Sequence, residues 1–321
     1  MMTVKKLLKK FFVNFWANKD FGWRMARIIA LLCVCVAGYV MLFEGSFIYF
    51  PSKYPAGRWE WENPQEVREG QIVARIEDVQ LVAADGVRLH GWYCTPQVKR
   101  GDALESIEAQ ATLLFLHGNA GNISHRFEII TELVKLPVNV FIIDYRGYGK
   151  SEGRPSEQGL YRDADAAWNY LTTARGTSAS RIVIFGESLG GAVAIDLARR
   201  VAACGLIVQS SFTSIAEMAA EVLPFVPRFI IRTKMDSLSK IGNVNSPKLF
   251  IHSQADEIIP YRMGRRLFEA ASAPKLFYEV KGASHNLTDI VGGAAYYEAL
   301  RSFINSSCPA QELRAAPASE K

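Results

Sequence analysis

The residue best placed for covalent chemistry is Ser188, in the run Gly186-Glu187-Ser188-Leu189-Gly190. A serine hydroxyl is a weak nucleophile, and it attacks a carbonyl only when a base takes its proton and a third group orients that base. Glycines on both sides suit a sharp strand-to-helix turn that holds the hydroxyl clear of its neighbours. Of the five histidines, His90, His117, His125 and His252 precede the serine or lie within an apolar strand, whereas His285 sits in a loop after the last strand. His285 is therefore the candidate base. Asp256 and Glu257 follow the preceding strand, and either carboxylate could orient an imidazole there or be an ordinary solvated loop charge.

Carbonyl attack also needs backbone donors for the oxygen that becomes negative, one from the residue after the nucleophile and one from an earlier loop. Leu189 offers the first amide. The second is that of Asn119, in His117-Gly118-Asn119-Ala120-Gly121-Asn122, which follows an apolar strand. His117, at the end of that strand, is read as a structural hydrogen-bonding residue.

These groups converge only if the chain between them alternates strand and helix. Short apolar runs at 112–116, 138–143, 182–185, 206–208 and 249–251 read as parallel strands covered on both faces, with another near 276–280. Helical patterns lie at 126–135, 159–172, 189–202 and 262–271, and a last helix at 294–304. Segments 75–82 and 87–93 flank Asp85-Gly86, a hairpin signal. The pattern predicts an α/β fold with a mostly parallel sheet flanked by helices over residues 70–308, a short lid at 211–247 and a flexible tail at 309–321.

Ahead of this domain, residues 28–50 form an apolar stretch with one charge, Glu44, and predict a transmembrane signal anchor. Residues 1–27 place Lys5, Lys6, Lys9 and Lys10 on one helical face and Leu8, Phe11, Phe12 and Phe15 on the other, the pattern of a basic amphipathic cytoplasmic segment. The basic flank orients the N-terminus to the cytoplasm and the catalytic domain to the periplasm or a lumen, with residues 51–69 as a linker.

The chain's net charge of +5 arises in this flank, which carries +6, so the remainder is near neutral and nucleic-acid binding is excluded. Five cysteines without CxxC spacing indicate neither a zinc site nor a disulfide framework. Neither a metal nor an organic cofactor is implied.

The runs FLHGNAGN (115–122), DYRGYGKSEG (144–153), GESLGG (186–191), the DEIIP stretch from Asp256 and GASHN from Gly282 together resemble the α/β-hydrolase superfamily. Within it, the chain is similar to membrane-anchored serine hydrolases of the α/β-hydrolase domain-containing protein thirteen-like type. The resemblance implies Ser188, Asp256 and His285 as a catalytic triad, favours Asp256 over Glu257, and implies Asn119 and Leu189 as oxyanion donors. It further implies cleavage of a small or lipid-like acyl ester or thioester, with serine peptidase activity or a catalytically silent membrane-tethered scaffold as alternatives.

Overall fold

The computed structural model describes residues 19–60, 68–224 and 226–309. Most of the expected amphipathic segment, residues 61–67 of the expected linker, Phe225 and the tail from residue 310 lie outside these.

In chain order, helix α1 (Lys19–Ile48) leads into strand β1 (Phe50–Pro51), followed by β2 (Ile72–Val82), β3 (Arg88–Arg100), β4 (Ala103–Ser106), β5 (Ala111–Leu116) and β6 (Ala120–Gly121). Then come α2 (Phe127–Leu133), β7 (Val138–Asp144), α3 (Glu157–Asn169), β8 (Ile182–Glu187), α4 (Leu189–Ala198), β9 (Gly205–Gln209), α5 (Ile215–Val222) and α6 (Ser237–Ile241). The chain continues through β10 (Lys248–Ser253), α7 (Tyr261–Ala270), β11 (Lys275–Val280) and α8 (Thr288–Ser307).

The main sheet has the order β11-β10-β9-β8-β5-β7-β3-β2, with β4 paired to β3. Strands from β7 to β11 along this order are parallel; β3 is antiparallel to both β7 and β2. The apolar runs explain the layering. Every residue of β5, β9 and β10 is buried, which requires cover on both faces. Leu160, Val193, Ile241 and Leu267 bring α3, α4, α6 and α7 onto one face, while Ile130, Leu133, Leu300 and Phe303 bring α2 and α8 onto the other. Strand β5 has β7 on one side and β8 on the other, so the chain reverses direction across the sheet there. In such sheets the crevice at the carboxyl ends of the strands beside the reversal is where ligands bind.

Element boundaries differ from the sequence reading where backbone geometry intervenes. Helix α8 begins at Thr288 rather than 294, because Gly293 (φ 51°, ψ −141°) breaks it and the apolar period is regular only afterwards. At the junction of the expected anchor and linker, β1 pairs in parallel with β6, matching Phe50 with Ala120 and Pro51 with Gly121. Among the described residues no single helix is long and apolar enough to cross a membrane. Gly22–Val36 and Met41–Ile48, bent by 51° at a break containing Gly38, pass together on length and composition.

The cysteine reading is corrected. Cys204 and Cys308 form a disulfide that ties the chain entering β9 to the end of α8, with Cα atoms 5.4 Å apart across a separation of 104 residues. An odd cysteine count concealed one pair, because spacing along the chain carries no information about which ends meet in space. Cys94 stays a free, buried thiol. Replacing Cys204 and Cys308 together by serine should cost about 2–4 kcal/mol, read as a lower urea midpoint under non-reducing conditions.

Candidate active site

Ser188 occupies the turn between β8 and α4 with φ 54° and ψ −117°, a conformation that costs a non-glycine residue on the order of 1–3 kcal/mol. The turn closes only because its neighbours lack side chains. A Cβ at Gly190 would overlap the carbonyl oxygen of Leu116, and one at Gly186 would overlap that of Gly190. Hydrogen bonds hold the strained residue in place: its N–H donates to the Gln209 carbonyl at 2.9 Å, and its carbonyl accepts from Ser211 Oγ at 2.8 Å.

His285 opens a short 3-10 turn after β11 and presents Nε2 to Ser188 Oγ at 3.1 Å. Its Nδ1 lies 2.8 Å from Asp256 Oδ2. Glu257 also touches this histidine, but at the backbone: its Oε2 accepts the His285 N–H at 3.0 Å. The two carboxylates thus divide the work, Asp256 orienting the ring and Glu257 tethering the loop. Asp256 is itself fixed by the amides of Ile258 and Ile259, which donate to its Oδ1 at 3.0 and 2.8 Å.

One participant escaped the sequence reading. His252, buried at the end of β10, directs Nε2 to the same Asp256 oxygen that serves His285, at 3.2 Å, and to the Ile259 carbonyl at 3.0 Å. Gly264 on α7 makes this possible, since a side chain there would collide with the imidazole. A histidine four residues before a candidate acid was the available signal, and its apolar setting hid it. Burial alone would raise the Asp256 pKa, but donors from His252 and His285, the His285 charge and the Ile259 amide outweigh that. The carboxyl is held well below the usual carboxylate range.

Above β5, the loop bearing Asn119 is fixed from several directions. The Asn119 carbonyl accepts from the Phe50 N–H at 3.1 Å and from Tyr148 Oη at 2.8 Å, and its Nδ2 donates to the Ile48 carbonyl at 3.0 Å. Ser52 N–H donates to the Gly121 carbonyl at 2.9 Å. His117 Nδ1 donates to the Gly118 carbonyl at 2.7 Å, and burial, reinforced by nearby Arg126, pushes its pKa down to about 4. It is therefore neutral and structural, as its strand-end position implied. Asp144, from the DYRGYG run, accepts the Ile123 amide at 3.0 Å and His90 Nδ1 at 3.1 Å, locking the start of the next turn.

Ser188, Leu189, His285, Gly118 and Asn119 line a cleft of about 440 Å³, within the range of small-molecule sites. Its far walls are apolar: Ile215, Met218, Val222 and Ile231 come from the expected lid, while Phe47 and Ile48 come from the last turn of α1. The polar side is formed by Arg126 and Glu187, paired at 3.2 Å, with Asn286 beside them. Such an array can move a proton from a hydroxyl to an imidazole and stabilise the resulting imidazolium with a carboxylate.

Residues 107–238 match the family described as serine aminopeptidase, S33. Over 288 residues the chain is 34% identical to Rv2307c of Mycobacterium tuberculosis, covering 88% of this chain and 96% of that one. It is 33% identical over 308 residues to the α/β hydrolase domain-containing protein WAV2 of Arabidopsis thaliana, covering 86% and 92% respectively. The Pyrococcus furiosus esterase Pf2001 superposes with a TM-score of 0.62 at 20% identity, covering 81% of this chain and 99% of that one, a likeness of fold. The strained turn, the sheet order and the curated relatives agree: this chain belongs to the α/β-hydrolase superfamily.

Proposed function

We propose that the protein is a membrane-anchored serine hydrolase that cleaves carboxylic esters or thioesters through an acyl-enzyme intermediate. The observation that carries this reading is the hydrogen-bonded series Ser188–His285–Asp256 at the floor of an apolar cleft. His285 takes the Ser188 proton as Oγ attacks the carbonyl carbon, and the amides of Asn119 and Leu189 receive the oxyanion. His285 then protonates the leaving alcohol or thiol. Water, deprotonated by the same ring, attacks the acyl-enzyme and releases the acid. The matched family's description keeps peptide cleavage as the second reading; the apolar lining favours an acyl chain over a polar peptide main chain.

Helix α1 is the anchor in this reading. Leu31, Leu32, Val34 and Leu42 all stand more than half exposed on it, a cost that lipid removes. The basic residues preceding it orient the N-terminus to the cytoplasm. The Cys204–Cys308 disulfide supports a catalytic domain in an oxidising compartment, periplasmic or lumenal.

Three expectations test the reading. Ser188→Ala should lower ester turnover by about 10⁴-fold or more and abolish fluorophosphonate labelling while the fold persists. Retained turnover would remove Ser188 from the chemistry. Asp256→Asn should reduce turnover far more than Glu257→Gln, and its stability should follow pH in a defined direction. A depressed folded-state pKa contributes stability above the unfolded value of about 3.9 and loses it as pH falls toward the folded value. The stability gap between wild type and Asp256→Asn is therefore wide at pH 7 and narrows steadily below about pH 4, as denaturant titrations across pH will read. Finally, reporter domains fused after residue 60 should be active only outside the cytoplasm, and cytoplasmic activity would invert the topology.

A further inference from the structure

The wall that α1 gives to the cleft ties the anchor to the substrate. Phe47 and Ile48 line the same cleft as the α5 residues Met218 and Val222 and as Ser188. The rim is apolar and open to the outside: Phe47 is 53% exposed, Val222 70% and Ile258 48%. Beyond Val222, the turn Arg228–Ile230 packs against α1 and presents Phe229 at 88% exposure. Single exposed apolar side chains are ordinary on a protein surface. Many of them on one 30-residue helix whose last turn also lines the cleft of Ser188 are not.

The one acidic group of α1 that lines the cleft is hydrogen-bonded within the protein. Glu44 is buried and its Oε1 accepts the amides of Arg232 and Thr233 at 3.0 and 2.8 Å, so its charge is satisfied within the protein. The polar groups of the site, Arg126, Glu187 and Asn286, gather around Ser188 and His285. The cleft thus has an apolar arm opening beside α1 and a polar arm beside the base that protonates the leaving group.

Resting on the reading of α1 as a membrane segment and Ser188 as a nucleophile, we propose that the substrate is a single-chain acyl ester or thioester resident in the bilayer. Its acyl chain enters laterally between α1 and α5, and its polar leaving group lies on the Arg126 and Asn286 side. A chain that passes from lipid along Phe47 and Val222 to Ser188 never crosses water, so its methylenes avoid the transfer cost that desorption imposes. The acyl C–O or C–S bond breaks, the Ser188 ester forms, and hydrolysis returns a fatty acid to the same leaflet while the alcohol or thiol departs into water.

The test uses the full chain reconstituted in phosphatidylcholine vesicles. 4-Methylumbelliferyl palmitate is supplied in the same vesicles or in separate ones, and soluble 4-methylumbelliferyl acetate reports the chemistry alone. Same-vesicle palmitate should be cleaved at least about tenfold faster than palmitate in separate vesicles. Phe47→Asp, Val222→Asp and Phe229→Asp should each lower the palmitate-to-acetate ratio, whereas Val82→Asp, an exposed valine on β2 on the far side of the sheet edge, should leave it unchanged. Equal rates from same and separate vesicles, or rim variants that lower both substrates in proportion, overturn lateral entry, as does a chain that fails to float with the vesicles. Loss of acetate cleavage by the wild type would refute the hydrolase reading itself, so the two failures are told apart.

Discussion

Everything at the site depends on one close approach, the packing of Gly190 against the carbonyl of Leu116. It lets α4 start immediately beyond β8 and brings the end of β5 within reach of the nucleophile. Ser188 pays for it in backbone strain at φ 54°, and the surrounding sheet supplies the bonds that hold that strain. Strands β8 and β5 are central and buried, so the turn rests on strands paired on both sides. In the proposed mechanism a nucleophile carried there need not be ordered when substrate arrives.

His285 and Asp256 approach from the other half of the sheet, and their placement shows how a buried charge is tolerated. Asp256 meets four donors: two amides of its own turn and two imidazoles. A carboxylate so served keeps its charge despite burial, and charge is what a histidine base requires of its partner. Because His252 and His285 share one oxygen, the position of the His285 ring is coupled to β10 and, through Gly264, to α7. The third helper, Glu257, fixes the backbone of the loop and leaves the ring's nitrogens to Asp256 and Ser188.

Local signals made much of this legible. Ser188 carries a turn that only glycine neighbours allow, so its type and position follow from five residues, and the buried parallel strands announce themselves as short apolar runs. His285 was recoverable from chain order. The choice between Asp256 and Glu257 was not, since both reach the same histidine and differ only in which atom they meet. His252 and the Cys204–Cys308 pair were hidden for a related reason: each acts through a contact closed by tertiary packing, which leaves no periodicity behind. The strand after α1 went unseen at the junction of anchor and linker because two residues are too few to show alternation, yet its bonds lie on the loop that carries Asn119.

That last contact changes the meaning of the N-terminal helix. A helix joined by a free tether would leave the cleft indifferent to where that helix sits. Here the Ile48 carbonyl and the Phe50 amide bracket Asn119, and Ser52 bonds Gly121 on the other side of the same loop. Residues within four positions of the helix end thus hold the Asn119 side chain and the peptide that follows it, while His117 holds the carbonyl of the peptide that carries the Asn119 N–H. Side chains of the same helical turn also wall the cleft. Oxyanion geometry tolerates little displacement, because donors are useful only at hydrogen-bond distance from the developing charge. A shift of α1 against the sheet would thus disturb the Asn119 loop and a wall of the cleft together, and in the proposed mechanism these are an oxyanion donor and a substrate wall, so that mechanism draws in the helix end in the same physical sense as the loops above β5 and β8.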